Sequence, residues 1–352
     1  MINIKKKASI QGAESDPGAE SRKSDHIQLA FDSQIRDLDQ RFHYEPLMAA
    51  HPSDFPTESF FLAKPMKAPI WISSMTGGTE GADSINKRLA RACGEFSLGM
   101  GLGSCRSLLY SDSRFADFDV RAEMGEKALL FANLGIAQIE KSLAEGAEDQ
   151  ILRMVDRLRA DGLIIHVNPF QEWLQPEGDR ITKPPIETII QFLDGFPKPV
   201  IVKEVGQGMG PASLEALMKL PLAAIDFGAH GGTNFSKLEL LRGTEDARDT
   251  YNGLSYVGHR ATEMVETIIT VRRKLGSKVK CQTVIASGGV GDYLDGYYLI
   301  SKLTLNGVGS ALYGQGSAFL RPAKASYAAL QTYISSQIKG LALAEAYLTV
   351  KQ

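Results

Sequence analysis

The segment from His166 to Asp179 concentrates groups that could do chemistry: one imidazole, three amides and three carboxylates within fourteen residues. The carboxylate of Glu172 could bind Mg²⁺, a hard cation that prefers oxygen ligands and often bridges to a substrate phosphate. The imidazole of His166 could act as a general base, with holding Asn168 or Gln171 in place as the alternative role. We therefore predict a polar ligand site in this segment, with His166, Asn168 and Gln171 as candidate catalytic residues.

Two glycine clusters indicate a phosphate site. Ser287-Gly288-Gly289 and Gly314-Gln315-Gly316-Ser317 each precede a predicted helix. Small residues expose backbone N–H groups and a helix N-terminus to an anion, and barrels commonly bind phosphate near their last two strands. Each cluster is a weak signal alone, but together they predict a phosphorylated cofactor or substrate.

Lys203 lies inside an apolar run, Val200 to Val205, so its ammonium group is expected to be buried beside an anion or an electron-rich cofactor atom. Asn133 and Thr76 follow other apolar runs. Together with the glycine clusters, these three polar groups indicate either a phosphorylated cofactor or a sugar phosphate as the ligand.

Regular elements must position these groups. Short apolar runs bounded by glycine or polar residues predict strands buried on both faces of a parallel sheet. They are Ile70–Met75, Leu98–Leu102, Ala128–Asn133, Leu163–Val167, Val200–Val205, Ala223–Phe227, Gln282–Ala286 and Val308–Tyr313. Amphipathic stretches between them predict helices. Eight such alternations, and no GxGxxG after the first strand, favour a (β/α)₈ TIM barrel over a doubly wound open sheet.

The chain is predicted to contain one large domain. Residues 1–24 have little hydrophobic periodicity and are predicted to form a flexible tail. Residues 25–345 are predicted to form a single ligand-binding (β/α)₈ barrel domain, with an irregular extension at its N-terminal end. Residues 240–260 are polar and longer than an ordinary barrel loop, and could form an active-site lid.

Composition excludes several functional classes. The 352 residues include 39 basic and 41 acidic side chains, so no basic surface for nucleic acid or membrane binding is expected. The uncharged stretch Leu303–Leu320 contains four glycines and is a poor membrane span. Cys93, Cys105 and Cys281 lack zinc-ligand spacing, and no apolar segment follows the N-terminal lysines. We expect a reduced, cytoplasmic protein without nucleic-acid or membrane partners.

The chain resembles the type 2 isopentenyl-diphosphate isomerases, flavoproteins of the (β/α)₈ class. The most specific match is His-x-Asn-x-x-Gln-Glu-x-x-Gln-Pro-Glu-Gly-Asp, found here from His166 to Asp179. Supporting matches are Arg22-Lys23-x-Asp25-His26-Ile27, Met75-Thr76-Gly77-Gly78, Gly103-Ser104-x-Arg106, Asn133-Leu134-Gly135, Lys203-Glu204-Val205-Gly206, Gly231-Gly232-Thr233 and Ser287-Gly288-Gly289.

This resemblance implies an enzyme of isoprenoid biosynthesis that interconverts isopentenyl and dimethylallyl diphosphate. Reduced FMN would itself be the acid–base group, NADPH the reductant, and Mg²⁺ would hold the diphosphate. A homo-oligomer, tetrameric or octameric, is implied as well.

The resemblance also implies roles for individual residues. Contacts with the flavin or its ribityl chain would be made by Met75, Thr76, Gly77, Ser104, Asn133, Lys203 and Thr233. The FMN phosphate would be bound by Gly288, Gly289, Gly314 and Gln315. The substrate would be bound by Arg22, Lys23, Ser104, Arg106 and Gln171, and Mg²⁺ by Glu172.

Three positions depart from the family pattern. Gly291 stands where the family commonly has an arginine, two residues after the Gly-Gly of the seventh loop. His230 stands where a small residue or an arginine is usual. Val257-Gly258-His259-Arg260 replaces the usual Trp-Gly-x-Pro.

Two other functions are considered. FMN-dependent 2-hydroxy-acid oxidases have His-Gly-Gly-Arg at a strand end, with the histidine as base and the arginine binding the substrate carboxylate. Here Thr233 follows His230-Gly231-Gly232, so that arginine is absent. A flavin-binding barrel without catalytic activity is the second alternative, and the presence of Arg106, Gln171, Glu172 and Lys203 together argues against it.

Overall fold

The structure is a computed structural model that describes residues 19–52, 59–74 and 81–351. Its strands are β1 (Phe42–Tyr44), β2 (Ser59–Phe61), β3 (Lys64–Met66), β4 (Ile70–Ile72), β5 (Gly99–Gly101), β6 (Leu130–Gly135), β7 (Gly162–Val167), β8 (Val200–Glu204), β9 (Ala224–Asp226), β10 (Thr283–Ser287), β11 (Ser310–Gln315) and β12 (Leu348–Val350). Its α-helices are α1 (Ala19–Leu29), α2 (Ala82–Phe96), α3 (Arg121–Met124), α4 (Ile136–Glu145), α5 (Glu148–Arg157), α6 (Pro169–Leu174), α7 (Pro185–Gly195), α8 (Pro211–Met218), α9 (Phe235–Arg242), α10 (Glu245–Tyr251), α11 (Ala261–Leu275), α12 (Tyr293–Leu305), α13 (Ser317–Ala325) and α14 (Tyr327–Tyr347).

The chain divides into two compact units, Met1–Phe42 and His43–Gln352. In the first unit, α1 contains only three apolar residues among its eleven, so no helical periodicity marks it in the sequence. The predicted tail ended at residue 24, which lies inside this helix. The two compact units divide after Phe42, and the boundary at residue 24 remains a prediction.

The second unit contains a closed barrel of parallel strands in the order β10-β11-β4-β5-β6-β7-β8-β9. These are the eight strands predicted from the apolar runs, with ends that differ by up to three residues. The (β/α)₈ prediction is therefore confirmed. Parallel strands covered by helices on the outside and side chains on the inside are buried on both faces, which explains why the runs are continuously apolar.

The barrel interior has two layers with different chemistry. Its apolar layer contains Trp71, Phe131, Ile164, Ile201, Ala224, Ile285 and Leu312. Side chains alternate between the two faces of a strand. The residue two positions after each member of the apolar layer therefore also faces inward, nearer the carboxyl end of its strand. That second layer, the interior polar ring, consists of Ser73, Asn133, His166, Lys203, Asp226 and Ser287.

The β2–β3 hairpin closes the opposite end of the barrel. The Phe61 ring stacks on the Phe131 ring, with centroids 6.1 Å apart, and meets the Trp71 ring edge-on at 5.8 Å. Lys64 pairs with Asp161 at 2.6 Å, which ties the hairpin to the start of β7. This part of the N-terminal extension is thus ordered, and it leaves the carboxyl ends of the strands as the open face.

The segment predicted as a lid is helical. It contains the end of α9 and all of α10, followed by a 3₁₀ turn at Asn252–Tyr256. Asn234 caps α9 by accepting a 2.8 Å hydrogen bond from the amide of Lys237. Among the helices within residues 19–52, 59–74 and 81–351, none is long and apolar enough to cross a membrane.

Candidate active site

Asn133 and His166 form the best-defined pair of the interior polar ring. The amide nitrogen of Asn133 donates to the carbonyl of Leu102 at 3.0 Å, so its oxygen Oδ1 faces His166 Nδ1 at 2.9 Å. An amide oxygen can only accept, so Nδ1 carries the proton and Nε2 keeps its lone pair. Burial, aided by the Lys203 ammonium group, lowers the pKa of His166 to about 3. His166 is therefore neutral, and its partner is Asn133 rather than Asn168 or Gln171.

Lys203 and Asp226 continue this ring. Lys203 is opposite His166 on one side and Asp226 on the other in the strand register, and its ammonium group donates to the carbonyl of Glu204. Asp226 is completely buried and accepts a hydrogen bond from the Ser287 hydroxyl, and its oxygen Oδ2 has no hydrogen-bond partner in the part of the chain that the structure describes. Burial raises the pKa of Asp226, and Lys203 opposes that shift. A buried cation thus lies between a neutral imidazole and a buried carboxyl.

Asn168 organises the segment that follows β7. It precedes α6, and its amide nitrogen donates to Gln171 Oε1 at 3.0 Å and to Glu172 Oε1 at 3.1 Å. The other oxygen of Glu172 accepts a 2.7 Å bond from the Asp179 amide. Gln171 donates in turn to Glu239 Oε1 at 3.4 Å. A single amide, that of Asn168, therefore fixes the two candidate functional side chains, Gln171 and Glu172.

Charged groups connect this segment to neighbouring elements. Arg106 pairs with Asp179 at 3.0 Å, and both side chains are about two-fifths exposed, at 42% and 39%. Arg242 on α9 bridges Glu239 and Glu177, with both contacts at 2.6 Å. Arg106 therefore lies beside the Glu172 segment and remains accessible to a ligand.

A cavity of about 680 Å³ opens at the carboxyl ends of the strands. Its lining includes six of the predicted cofactor residues: Lys203, Thr233, Gly288, Gly289, Gly314 and Gln315. Pockets of this volume accommodate a nucleotide-sized cofactor. Ser73, which also lines the cavity, is buried, and its hydroxyl oxygen has no hydrogen-bond partner within residues 19–52, 59–74 and 81–351. A buried polar group without a partner is costly, which points to a ligand partner here.

Glycine is required at two positions of this cavity. Gly288 has a φ of +87°, and a Cβ atom there would lie 2.1 Å from the carbonyl oxygen of Ala229. At Gly314 a Cβ atom would lie 2.8 Å from Ser73 Oγ. The cavity wall therefore consists of backbone at these points, as a closely bound cofactor needs.

The side chain of Gln315 connects the glycine cluster after β11 to the one after β10 and to α14. Its side chain donates to the carbonyl of Val290 at 3.1 Å and accepts from the Tyr333 hydroxyl at 2.8 Å. A second cavity, of about 500 Å³, adjoins Asn168 and Gln171 and shares Val205 with the first.

Comparison with known proteins identifies the family. The chain is 35% identical over 321 residues to the isopentenyl-diphosphate delta-isomerase of Nostoc sp., which covers 89% of this chain and 87% of that protein. It is 33% identical over 330 residues to the Synechococcus sp. protein of the same name, covering 91% and 89%. The chain belongs to the type 2 isopentenyl-diphosphate delta-isomerase family. No protein-family model matches it.

Solved structures confirm the architecture of this isomerase-family chain. A mandelate oxidase variant with an FMN adduct superposes with a TM-score of 0.53 at 13% identity, over 89% of this chain and 88% of that one. At such low identity the likeness shows the fold alone.

The remaining residues expected from the isomerase family are placed as follows. Asn133 lies in the interior polar ring and Ser104 is exposed after β5; within the described part of the chain, neither belongs to the cavity lining. Arg22 and Lys23 lie on α1 in the first compact unit. Met75, Thr76 and Gly77 lie outside the described residues.

Metal and thiol chemistry are constrained by the same geometry. In the described ranges, no group of three His, Cys, Asp or Glu side chains could hold a metal ion. Burial raises the pKa of Cys105 to about 12 and of Cys281 to about 11, so both are neutral thiols rather than nucleophiles.

Sequence reasoning missed Asp226 and Glu239. Asp226 was included in an apolar run. A single carboxylate in such a run, two residues after Ala224 and so on the same face of the strand, could have indicated a polar group inside the barrel. Glu239 is an ordinary helix residue in the sequence, and only its contact with Gln171 distinguishes it.

Proposed function

We propose that the protein interconverts isopentenyl diphosphate and dimethylallyl diphosphate. Family membership supports this, and the observation that carries it is the Asn168 amide bonded to both Gln171 and Glu172. One side chain thereby fixes a neutral group suited to an alkene next to a carboxylate suited to a metal-bound diphosphate.

FMN is the proposed cofactor, reduced by NADPH. The cavity volume, the glycine walls and the unpartnered Ser73 hydroxyl fit it, and the mandelate oxidase with the same fold carries an FMN adduct. Lys203 would contact the flavin, with Thr233 beside it and the glycine loops at the phosphate end. When bound and reduced, FMN supplies the acid–base group for a proton shift without net redox change.

The side chains position the substrate. His166 is neutral and the Gln171 amide does not titrate, so both would hold and orient neighbouring groups. The Gln171 side chain is held by two hydrogen bonds, one from the Asn168 amide and one to the Glu239 carboxylate on α9. A well-oriented alkene is what a proton shift at carbon requires of the protein.

Glu172 would hold Mg²⁺ against the diphosphate. Each of its oxygens accepts one hydrogen bond, which leaves lone pairs free for a cation. Mg²⁺ usually takes one or two carboxylates together with substrate phosphate oxygens. Arg106, Ser104, Arg22 and Lys23 would supply the remaining contacts with the diphosphate.

The oligomeric state, cellular compartment and partners of the protein are proposed as well. The family resemblance supports a homo-oligomer, tetrameric or octameric, that acts in the cytoplasm on a small molecule. The balance of 39 basic and 41 acidic residues supports the exclusion of nucleic acid and membrane as partners.

The test is direct. Protein loaded with FMN and reduced by dithionite or NADPH is incubated with isopentenyl diphosphate and Mg²⁺, and dimethylallyl diphosphate is followed by NMR. Product without proportional consumption of reductant is the expected result. FMN binding without turnover would favour the non-catalytic barrel. Oxygen consumption with lactate or glycolate would favour the 2-hydroxy-acid oxidase alternative. The sequence argues against that alternative, because Thr233 occupies the position of the arginine that binds the substrate carboxylate in those oxidases.

A further inference from the structure

The helix after the seventh barrel strand satisfies its own N-terminus. Asp292 accepts hydrogen bonds from the amides of Leu294 and Asp295 at 2.8 and 3.1 Å, and Asp295 accepts one from the amide of Gly291 at 2.9 Å. Two carboxylates therefore occupy the N–H groups that a phosphate would use, and their charge repels an anion. Gly291 supplies no side-chain cation in compensation.

The helix after the eighth strand, α13, has the opposite character. Its residues Ser317, Ala318, Arg321, Pro322 and Ala325 line the cavity, a spacing that places them on one face. The first amides of a helix have no acceptor inside the helix. Arg321 lies one turn after Ser317 on this face, and helical side chains tilt toward the helix N-terminus, so its guanidinium group can reach an anion at the first turn of α13.

The charges around the cavity separate its two ends. Among the described lining residues, the cations are Lys203 in the interior polar ring and Arg321 on α13. The Ser73 hydroxyl, which has no hydrogen-bond partner among the described residues, lies close to Gly314, at the end of the strand that leads into α13. Lys203 therefore lies at the inner end of the cavity, in the interior polar ring. Arg321 lies at the outer end, on α13, where it can bind an anionic group.

We propose, on the basis of the FMN-binding function above, that Arg321 supplies the side-chain cation that pairs with the FMN phosphate at the N-terminus of α13. Arg321 supplies the cation that the family commonly has at the position of Gly291. The seventh loop then contributes close backbone approach through Gly288 and Gly289, and its carboxylates keep the phosphate on the α13 side.

The test compares FMN with riboflavin, which has the same ring and no phosphate. Both are titrated by flavin fluorescence into cofactor-free wild type, Arg321→Ala and Arg321→Gln; the Gln variant keeps much of the side-chain stem. We expect FMN affinity to fall about tenfold or more in both variants, with riboflavin affinity unchanged, as for loss of a charge-assisted contact. Lys324→Ala is the matched control, because Lys324 is an exposed cation on the same helix outside the cavity lining.

The outcomes separate this proposal from the function on which it rests. If FMN and riboflavin weaken equally in both variants, or if neither weakens while wild type binds FMN, Arg321 is not the phosphate ligand and this proposal alone is overturned. An equal loss of FMN affinity in Lys324→Ala would also overturn it, since general charge would then explain the effect. If wild type binds neither compound, the FMN proposal fails and this one with it.

Discussion

His166 Nδ1 and Asn133 Oδ1 lie 2.9 Å apart on neighbouring barrel strands. Because the other atom of the Asn133 amide is committed to Leu102, this contact fixes the imidazole as the Nδ1–H tautomer. Burial and the Lys203 charge then keep the ring neutral. The imidazole is therefore neutral at neutral pH and uses its Nδ1 proton in this contact.

Protein stability should reveal that neutral imidazole. The pKa of His166 is about 3 in the folded protein, and its ordinary value is 6.5. The neutral imidazole therefore contributes its full share of folding stability above pH 6.5, and this share is lost as the pH falls toward 3. We expect the free energy of unfolding to fall by about 2 kcal/mol more in wild type than in His166→Gln between about pH 7.5 and about pH 5. Urea unfolding at both pH values measures this difference. Equal pH dependence in the two proteins would show that His166 titrates normally.

Replacing Gln171 should affect turnover more than binding. Gln171→Ala removes the contacts with Asn168 and Glu239, and misplacement of an orienting group can cost about a hundredfold in rate. We expect kcat to fall by about that factor, with FMN affinity within about twofold of wild type. Steady-state kinetics and flavin titration give the two values. Unchanged kcat would remove Gln171 from the site.

Metal dependence should rest on Glu172. Glu172→Gln keeps the volume but removes the charge, so the Mg²⁺ concentration for half-maximal activity should rise about tenfold or more. The control is Glu177→Gln, an exposed carboxylate of the same segment that pairs with Arg242. Wild-type Mg²⁺ dependence in Glu172→Gln, or an equal shift in the control, would contradict the assignment.

Arg106 should matter for the substrate and little for stability. Its pair with Asp179 is exposed, and such pairs contribute at most about 1 kcal/mol. Arg106→Ala should raise KM for isopentenyl diphosphate about tenfold while the free energy of unfolding changes by less than about 1 kcal/mol. Arg157→Ala breaks a comparably exposed 2.9 Å pair with Asp112 and serves as the control. A KM unchanged in Arg106→Ala would place the diphosphate elsewhere.

Gly288 should be far less replaceable than Gly291. Gly288→Ala places a Cβ atom 2.1 Å from the Ala229 carbonyl oxygen at a φ of +87°, whereas Gly291→Ala meets only the flexible end of Asp295, at 3.1 Å. We expect Gly288→Ala to cost at least about 2 kcal/mol and Gly291→Ala less than about 0.5 kcal/mol. Urea unfolding of both variants measures the difference. Similar stabilities would mean that the backbone at Gly288 relaxes freely.

Much of the fold and part of the site could be predicted from sequence because they depend on local order. Apolar runs of strand length, ended by polar residues or glycine, predicted all eight barrel strands, and the barrel then required Lys203 and the glycine loops to share one face. The two-residue alternation of a strand is a local property. This alternation therefore predicts which face of the strand these groups lie on, even when their contact partners are unknown.

Contacts between distant residues were decided by the tertiary structure. Asn133 is 33 residues from His166, and Gln171 is 68 residues from Glu239, so neither pairing leaves a local pattern. Asp226 joins the polar ring only once the barrel is closed. The family motif indicated which residues matter, whereas hydrogen-bond geometry decided that Asp292 and Asp295 close one helix N-terminus and leave Arg321 beside another. A side chain's partner depends on distances of a few ångströms across the fold, and those distances follow from packing rather than from position along the chain.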